Sequence, residues 1–241
     1  MAKYRIAEML IEIKGRFENT EHAYRDYLAV TEEPPDFCVS VSDGELAEAR
    51  AAFPDASPAY AERFAIFRRV AHEASKRGAI LLHAATVEVD GKAYAFCAPS
   101  GTGKSTHITL WRKHFGKRVC IINGDKPFLR LKDGVLTAYG SPFCGKECWQ
   151  RNACAPLAGL CFLSRADANS ITRVKEEELL PRVFAQMLKP PSAEGVSETL
   201  RFADLLVREI PIFHLHCNIS KEAAELSFRT MTGLDVPPQD L

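Results

Sequence analysis

A chain of 241 residues can bury a full hydrophobic core and most simply makes one sizeable domain with a smaller appendage. Its 31 basic and 31 acidic residues balance to a net charge of zero, which leaves no overall field to favour nucleic acid or an anionic membrane. The start, Met1-Ala2-Lys3-Tyr4-Arg5, lacks the apolar run of a secretory signal, and no stretch approaches the ~20 apolar residues of a bilayer span. A cytoplasmic protein without membrane or nucleic-acid partners is expected.

Residues 1–78 read as a small α+β region. Ile6 to Ile13 is one expected strand and Asp36 to Val41 another. Asp43 caps a short helix through Ala52, and Ser57-Pro58 opens a longer helix that stops at Gly78. On that helix Phe64, Phe67, Val70 and Ala71 share one face.

Residues 79–241 read as a nucleotide-binding domain. Strands are expected at Ala79–His83, Thr86–Val89, Lys92–Cys97, Arg118–Ile122, Phe128–Lys132 and Val135–Tyr139. Asp90-Gly91 and Asp133-Gly134 mark tight hairpins, so the sheet is mixed rather than wholly parallel. Leu157–Leu163 is a further strand, followed by helices over Glu176–Lys189 and Ser197–Val207. Ile210–His216 is a late strand, and Ser220 caps a helix over Lys221–Met231. The tail Pro237-Pro238-Gln239-Asp240 is expected to be disordered. Cys97, Cys120, Cys154, Cys161 and Cys217 lie in apolar stretches and read as buried, reduced thiols. Cys144, Cys148 and Cys154 lack the paired spacing of a zinc site.

The segment that carries chemistry is Ala98-Pro99-Ser100-Gly101-Thr102-Gly103-Lys104-Ser105-Thr106, between an apolar strand and a helical pattern ending near Gly116. It matches a phosphate-binding loop, with Ala98 in the slot where glycine is usual. Gly101 and Gly103 allow the torsions that turn successive N–H groups toward one anion. The helix behind them adds unpaired amides and a positive dipole end. Ser100, Gly101, Thr102, Gly103, Lys104, Ser105 and Thr106 are therefore the expected triphosphate contacts. Lys104 reaches the terminal phosphates, and the Ser105 hydroxyl ligates Mg2+. Asn123-Gly124-Asp125 ends the next strand, where Asp125 supplies a second metal ligand unless the tripeptide is turn chemistry only.

The run Leu82-His83-Ala84, Val89-Asp90-Gly91, the loop, and Ile122-Asn123-Gly124-Asp125 resembles the core of the HPr serine kinases, which share a nucleotide-binding core with phosphoenolpyruvate carboxykinases. The resemblance covers roughly residues 79 to 165. Tyr139-Gly140-Ser141-Pro142-Phe143-Cys144-Gly145-Lys146 is similar to small members of this kinase-like group. The resemblance implies an α/β fold with a mixed sheet and flanking helices, and a homo-oligomer, since relatives of this type often assemble. It implies an ATP- and Mg2+-dependent kinase acting on a hydroxyl of a protein, peptide or metabolite. Lys104 grips phosphate, Asp125 holds metal, and His83 lies near the transferred group. Apart from the resemblance, Lys146, in a loop after Pro142 and Gly145, is expected to neutralise phosphoryl charge unless it is simply an exposed loop lysine, and Lys126 and Arg151, near these segments, are further candidates. His214 and His216 share a strand face and read as structural. The chain departs from the pattern at Gly124, where the family places the acid that deprotonates the acceptor. An ATP-binding accessory module without transfer chemistry is the alternative.

Overall fold

The first residues form a hairpin. In the computed structural model, which describes residues 2–145 and 147–236, β1 (Ala2–Ile6) pairs antiparallel with β2 (Met9–Lys14). The single strand expected over Ile6–Ile13 is thus broken at Ala7 and Glu8, which take φ of 48° and 66°. Helix α1 (Glu18–Tyr24), not foreseen from the sequence, follows. β3 (Phe37–Ser40) then adds parallel to β2 and completes a three-stranded sheet.

Helix α2 (Asp43–Ala52) is capped by Ser42 rather than Asp43. The Ser42 hydroxyl accepts from the Glu45 amide while the Glu45 side chain accepts from the Ser42 amide, a reciprocal capping box. Helix α3 (Pro58–Ser75) begins with Ser57 as cap and Pro58 in its first turn, as the sequence indicated. Its buried face (Ala61, Ala65, Ile66, Val70, Ala74) joins Ile6, Ile11 and Val39 in one apolar cluster that also contains Ala79, Leu81, Phe128 and Tyr139.

The larger sheet has nine strands and is mixed, as expected from the hairpins. β4 (Ala79–Leu81), β8 (Phe128–Lys132) and β9 (Val135–Tyr139) pair antiparallel, and β9 joins the start of β10 (Cys154–Arg165). Further along, β10 runs parallel to both β6 (Lys92–Cys97) and β12 (Ile212–Cys217). β5 (Ala85–Val89) lies antiparallel between β6 and β7 (Val119–Asn123), and β11 (Ser170–Arg173) pairs with β12. Both hairpin turns place Asp then Gly at positive φ, at Asp90-Gly91 and Asp133-Gly134.

Parallel strands require crossover helices, and these cover both faces of the sheet. On one face α4 (Lys104–Phe115) and α7 (Lys221–Thr232) pack Trp111, Phe115 and Phe228 against Phe96 and Leu215. On the other, α5 (Glu176–Gln186) and α6 (Ala193–Glu209) pack Val183, Phe202 and Leu206 against Ala95, Leu160 and Ile212. Cys97 and Cys161 are buried, but Cys154 faces outward at the exposed start of β10, and Cys120 and Cys217 are half-buried. No helix among the described residues is long and apolar enough to cross a membrane.

Candidate functional site

The loop Ala98–Gly103 joins β6 to the N-terminus of α4, with Gly101 at φ 78° and Gly103 at φ 125°. The Gly103 value lies in a region that favours glycine. The first intrahelical bond runs from the His107 amide to the Gly103 carbonyl at 2.9 Å. The Lys104, Ser105 and Thr106 amides therefore precede the helical ladder and form a cluster of donors at the positive end of α4. Arg165, at the end of β10, donates to the carbonyls of Gly101 and Thr102, the latter at 3.2 Å. A trans peptide sets C=O and N–H on opposite sides, so these contacts turn the Thr102 and Gly103 amides away from Arg165.

Lys104 is buried, and its ammonium donates to the Ala98 carbonyl at 2.8 Å. It also lies 3.1 Å from His83 Nε2, which in turn is 3.2 Å from Asp125 Oδ1. The single nitrogen serves one partner at a time. Protonated, it donates to Asp125; bare, it accepts from Lys104. His83 follows β4 rather than lying within it, because the strand ends at Leu81. Its position is fixed by the backbone: the His83 amide donates to Gln186 at 2.8 Å, and the Ala84 amide to the Asp125 carbonyl at 2.9 Å.

Asp125 is placed by its neighbours on the Asn123-Gly124-Asp125 turn. The buried Asn123 Oδ1 accepts from the Asp125 amide at 2.8 Å and the Lys126 amide at 2.7 Å, and its Nδ2 donates to the Ser141 carbonyl at 2.9 Å. The tripeptide is turn chemistry, and that chemistry aims a carboxylate at Lys104 and His83. Burial alone raises the Asp125 carboxyl, but hydrogen bonds with His83 and Lys126 outweigh it and hold the group at about 2. Burial holds the Lys104 ammonium below its ordinary value, and the charges of Asp125 and Glu147 offset that only in part.

Glu147 is the group the sequence did not single out. A Cβ built on Gly145 would lie 3.2 Å from the Asp125 Cβ and 3.5 Å from Glu147 Oε2, so the two acids flank the same small space. The turn that brings Glu147 there also closes over Gly124. The Gly124 amide donates to the Trp149 carbonyl at 2.8 Å, and a Cβ on Gly124 would meet the Cys144 carbonyl at 3.1 Å and Trp149 Cβ at 3.4 Å. The one sequence signal for Glu147 was its nearness to the Gly145-Lys146 pair; Lys146 itself lies outside the described residues, as does the tail Pro237-Pro238-Gln239-Asp240.

A cavity of about 580 Å³ beside the loop is lined by Thr102, Gly103, Thr106, Leu163, Asn218 and Ile219, among others. The loop thus touches both a titratable cluster, through Lys104, and a cavity within the ~300–1,000 Å³ range of small-ligand sites. Lys126 joins the cluster as a partner of Asp125. Arg151 lines a separate cavity with Arg112 and Lys117. His214 and His216 share a face as expected, with rings 4.1 Å apart, and both lie within hydrogen-bond distance of Ser164 Oγ on β10.

A divalent cation such as Mg2+ keeps several waters and needs only one or two protein oxygens beside substrate phosphates. The half-buried Ser105 at the head of α4 and the Asp125 carboxylate supply oxygen donors of that kind. No family model matches the chain, and no curated protein does so significantly. Among solved structures, the Hpr(Ser) kinase/phosphatase from Coxiella burnetii is similar over 54% of this chain and 92% of its own, at 12% identity and a TM-score of 0.28. At that level the likeness decides neither family nor activity.

Proposed function

We propose that the chain is an ATP-dependent kinase that transfers the γ-phosphate to a hydroxyl. The observation that carries this reading is the convergence of Lys104, His83 and Asp125 beside the open amides at the head of α4. Loop Ala98–Thr106 is then a phosphate-binding loop, and the 580 Å³ cavity beside it receives the nucleoside. Lys104 and the loop amides stabilise the charge spread over the transferred phosphoryl oxygens. Ser105 and Asp125 hold Mg2+, which neutralises phosphate charge when bound.

The acceptor oxygen forms a bond to the γ-phosphorus as the bond to the β,γ-bridging oxygen breaks, and that electron pair leaves on ADP. The hydroxyl proton passes to a carboxylate of the enzyme. A group held at about 2, as Asp125 is, accepts protons poorly near neutral pH and is better suited to binding metal and orienting the acceptor. Glu147 takes the proton in this reading.

A second reading rests on Gly124: with no acid there, the chain is a nucleotide-binding accessory module. Calorimetric ATP titration and labelled-ATP turnover, run together, decide between the two. The kinase reading expects Lys104→Met to weaken ATP by about tenfold or more, and Asp125→Asn to lower turnover by about 10²-fold or more. ATP binding by the wild-type chain without hydrolysis or transfer to any acceptor leaves the accessory module.

A further inference from the structure

The Asp125–Lys126 pair also borders a second cavity, of about 440 Å³, that no residue of the loop lines. Its wall is aromatic: Phe53, Tyr60, Phe64 and Phe67 come from the N-terminal region, and Phe143 comes from the turn that carries Glu147. These rings support one another edge to face, with Phe67 and Phe143 at 4.7 Å and Phe53 and Phe64 at 4.8 Å between centroids. Lys126 connects wall and site, its ammonium pairing with Asp125 and lying 5.7 Å from the Phe67 ring centroid.

Two polar features interrupt this surface. Arg63 lines the cavity and is exposed, with its guanidinium 5.9 Å from the Tyr60 ring, and among the described residues it has no carboxylate partner. Tyr24 also lines it, and its buried hydroxyl has no hydrogen-bond partner among the described residues. An unpaired buried hydroxyl costs free energy, and an unpaired guanidinium beside aromatic rings suits a carboxylate bidentately.

We infer that this cavity is the acceptor site and that its ligand is a small aromatic hydroxy acid. The inference rests on the kinase reading for the word acceptor, and on the cavity alone for the ligand chemistry. The ring packs among Phe64, Phe67 and Phe143, the carboxylate pairs with Arg63, and the hydroxyl faces Asp125. A volume of 440 Å³ sits at the lower end of small-ligand sites, which favours a metabolite over a folded protein surface. The N-terminal region then selects the acceptor while the loop domain supplies the phosphate.

Titration of 3-phenyllactate into the intact chain by calorimetry tests this, since that probe carries ring, hydroxyl and carboxylate together. Saturable binding is expected, with lactate (no ring) and 2-phenylethanol (no carboxylate) weaker by about tenfold or more. Arg63→Leu and Tyr60→Ala alter exposed side chains and should leave the circular dichroism spectrum unchanged. Both are expected to weaken 3-phenyllactate by about tenfold. Absence of saturable probe binding, or an unchanged affinity in folded Arg63→Leu, overturns the inference. ATP titrated into the same samples separates the two failures. A chain that binds ATP but not the probe loses this acceptor, whereas one that binds the probe but not ATP loses the kinase reading and with it the acceptor role.

Discussion

At Gly124 the chain exchanges a side chain for a backbone contact. An acid at that position would need space now filled by the Cys144 carbonyl and Trp149 Cβ, 3.1 and 3.4 Å from an ideal Cβ. Placing an acid there by Gly124→Asp should therefore not raise activity. It is expected to destabilise the protein by about 1–3 kcal/mol through overpacking, a fall in melting temperature of roughly 2–12 °C for a chain of this size. Glu147→Gln should instead lower turnover by about 10²-fold while leaving the melting temperature and ATP affinity nearly unchanged. If Gly124→Asp proved faster than wild type, or Glu147→Gln fully active, Glu147 would not be the proton acceptor.

His107 shows a different use of a buried side chain. Its Nε2 lies 2.9 Å from Ser227 Oγ, which also accepts from Trp111 Nε1 at 2.8 Å and donates to the Ala223 and Ala224 carbonyls in the first turn of α7. With the hydroxyl proton committed to a carbonyl, His107 must donate, which assigns its proton to Nε2. Burial pushes the ring down to about 4, against an ordinary value of 6.5. The depressed value makes the unfolded chain the better proton binder, so stability is full above pH 6.5 and is lost as pH falls toward 4. The loss amounts to about 3 kcal/mol over that interval. His107→Gln keeps a donor without a titrating ring. Its melting temperature, lower than wild type at pH 7, should fall less steeply between pH 7 and pH 4.5; parallel pH profiles would remove His107 from this role.

At the scale of elements, the readable parts are those encoded locally. The two Asp-Gly hairpins and the Gly101/Gly103 loop depend on a few adjacent residues at positive φ, and the Ser57-Pro58 helix start on a Ser57 cap beside a first-turn proline. The break at Ala7-Glu8 was invisible because no glycine or asparagine marks it, and apolar residues flank it on both sides. Helix α1 and the exposed edge strand β11 lack strong periodicity and form against the rest of the chain. Half of the candidate site was legible for the same reason: Lys104, Ser105 and Asp125 sit in local motifs. Glu147 was not, since its place depends on how the 140–151 segment crosses Asn123 and Gly124. That crossing is anchored at Gly140, where a Cβ would fall 1.8 Å from the Arg151 carbonyl. Gly140→Ala is expected to cost about 3 kcal/mol, at the upper end of overpacking effects, and to displace Glu147 from Asp125. Turnover should then fall even at temperatures where circular dichroism shows the protein folded; retained activity in a folded Gly140→Ala chain would mean that the crossing does not position the acid.

For the whole molecule, the question is whether the N-terminal region and the large sheet act as one unit. Ile6, Ile11, Val39 and the buried face of α3 share a cluster with Ala79, Leu81, Phe128 and Tyr139. Arg130 donates to the Ala7 carbonyl at 2.9 Å, and Tyr27 to the Arg151 carbonyl at 3.3 Å. Separating the two regions would expose that cluster, so the folding free energy of each depends on the other. Both tryptophans, Trp111 and Trp149, lie on the loop-domain side, and the first 78 residues contain none. Tryptophan fluorescence therefore reports the loop domain, while circular dichroism reports both regions. The two denaturation curves should coincide, and ATP at about 100 times its Kd should shift both together by about 2.7 kcal/mol. A circular-dichroism transition that precedes the fluorescence transition, or that ATP leaves in place, would show that the N-terminal region unfolds alone. An aromatic cavity bounded by both regions could not then hold its shape against Asp125.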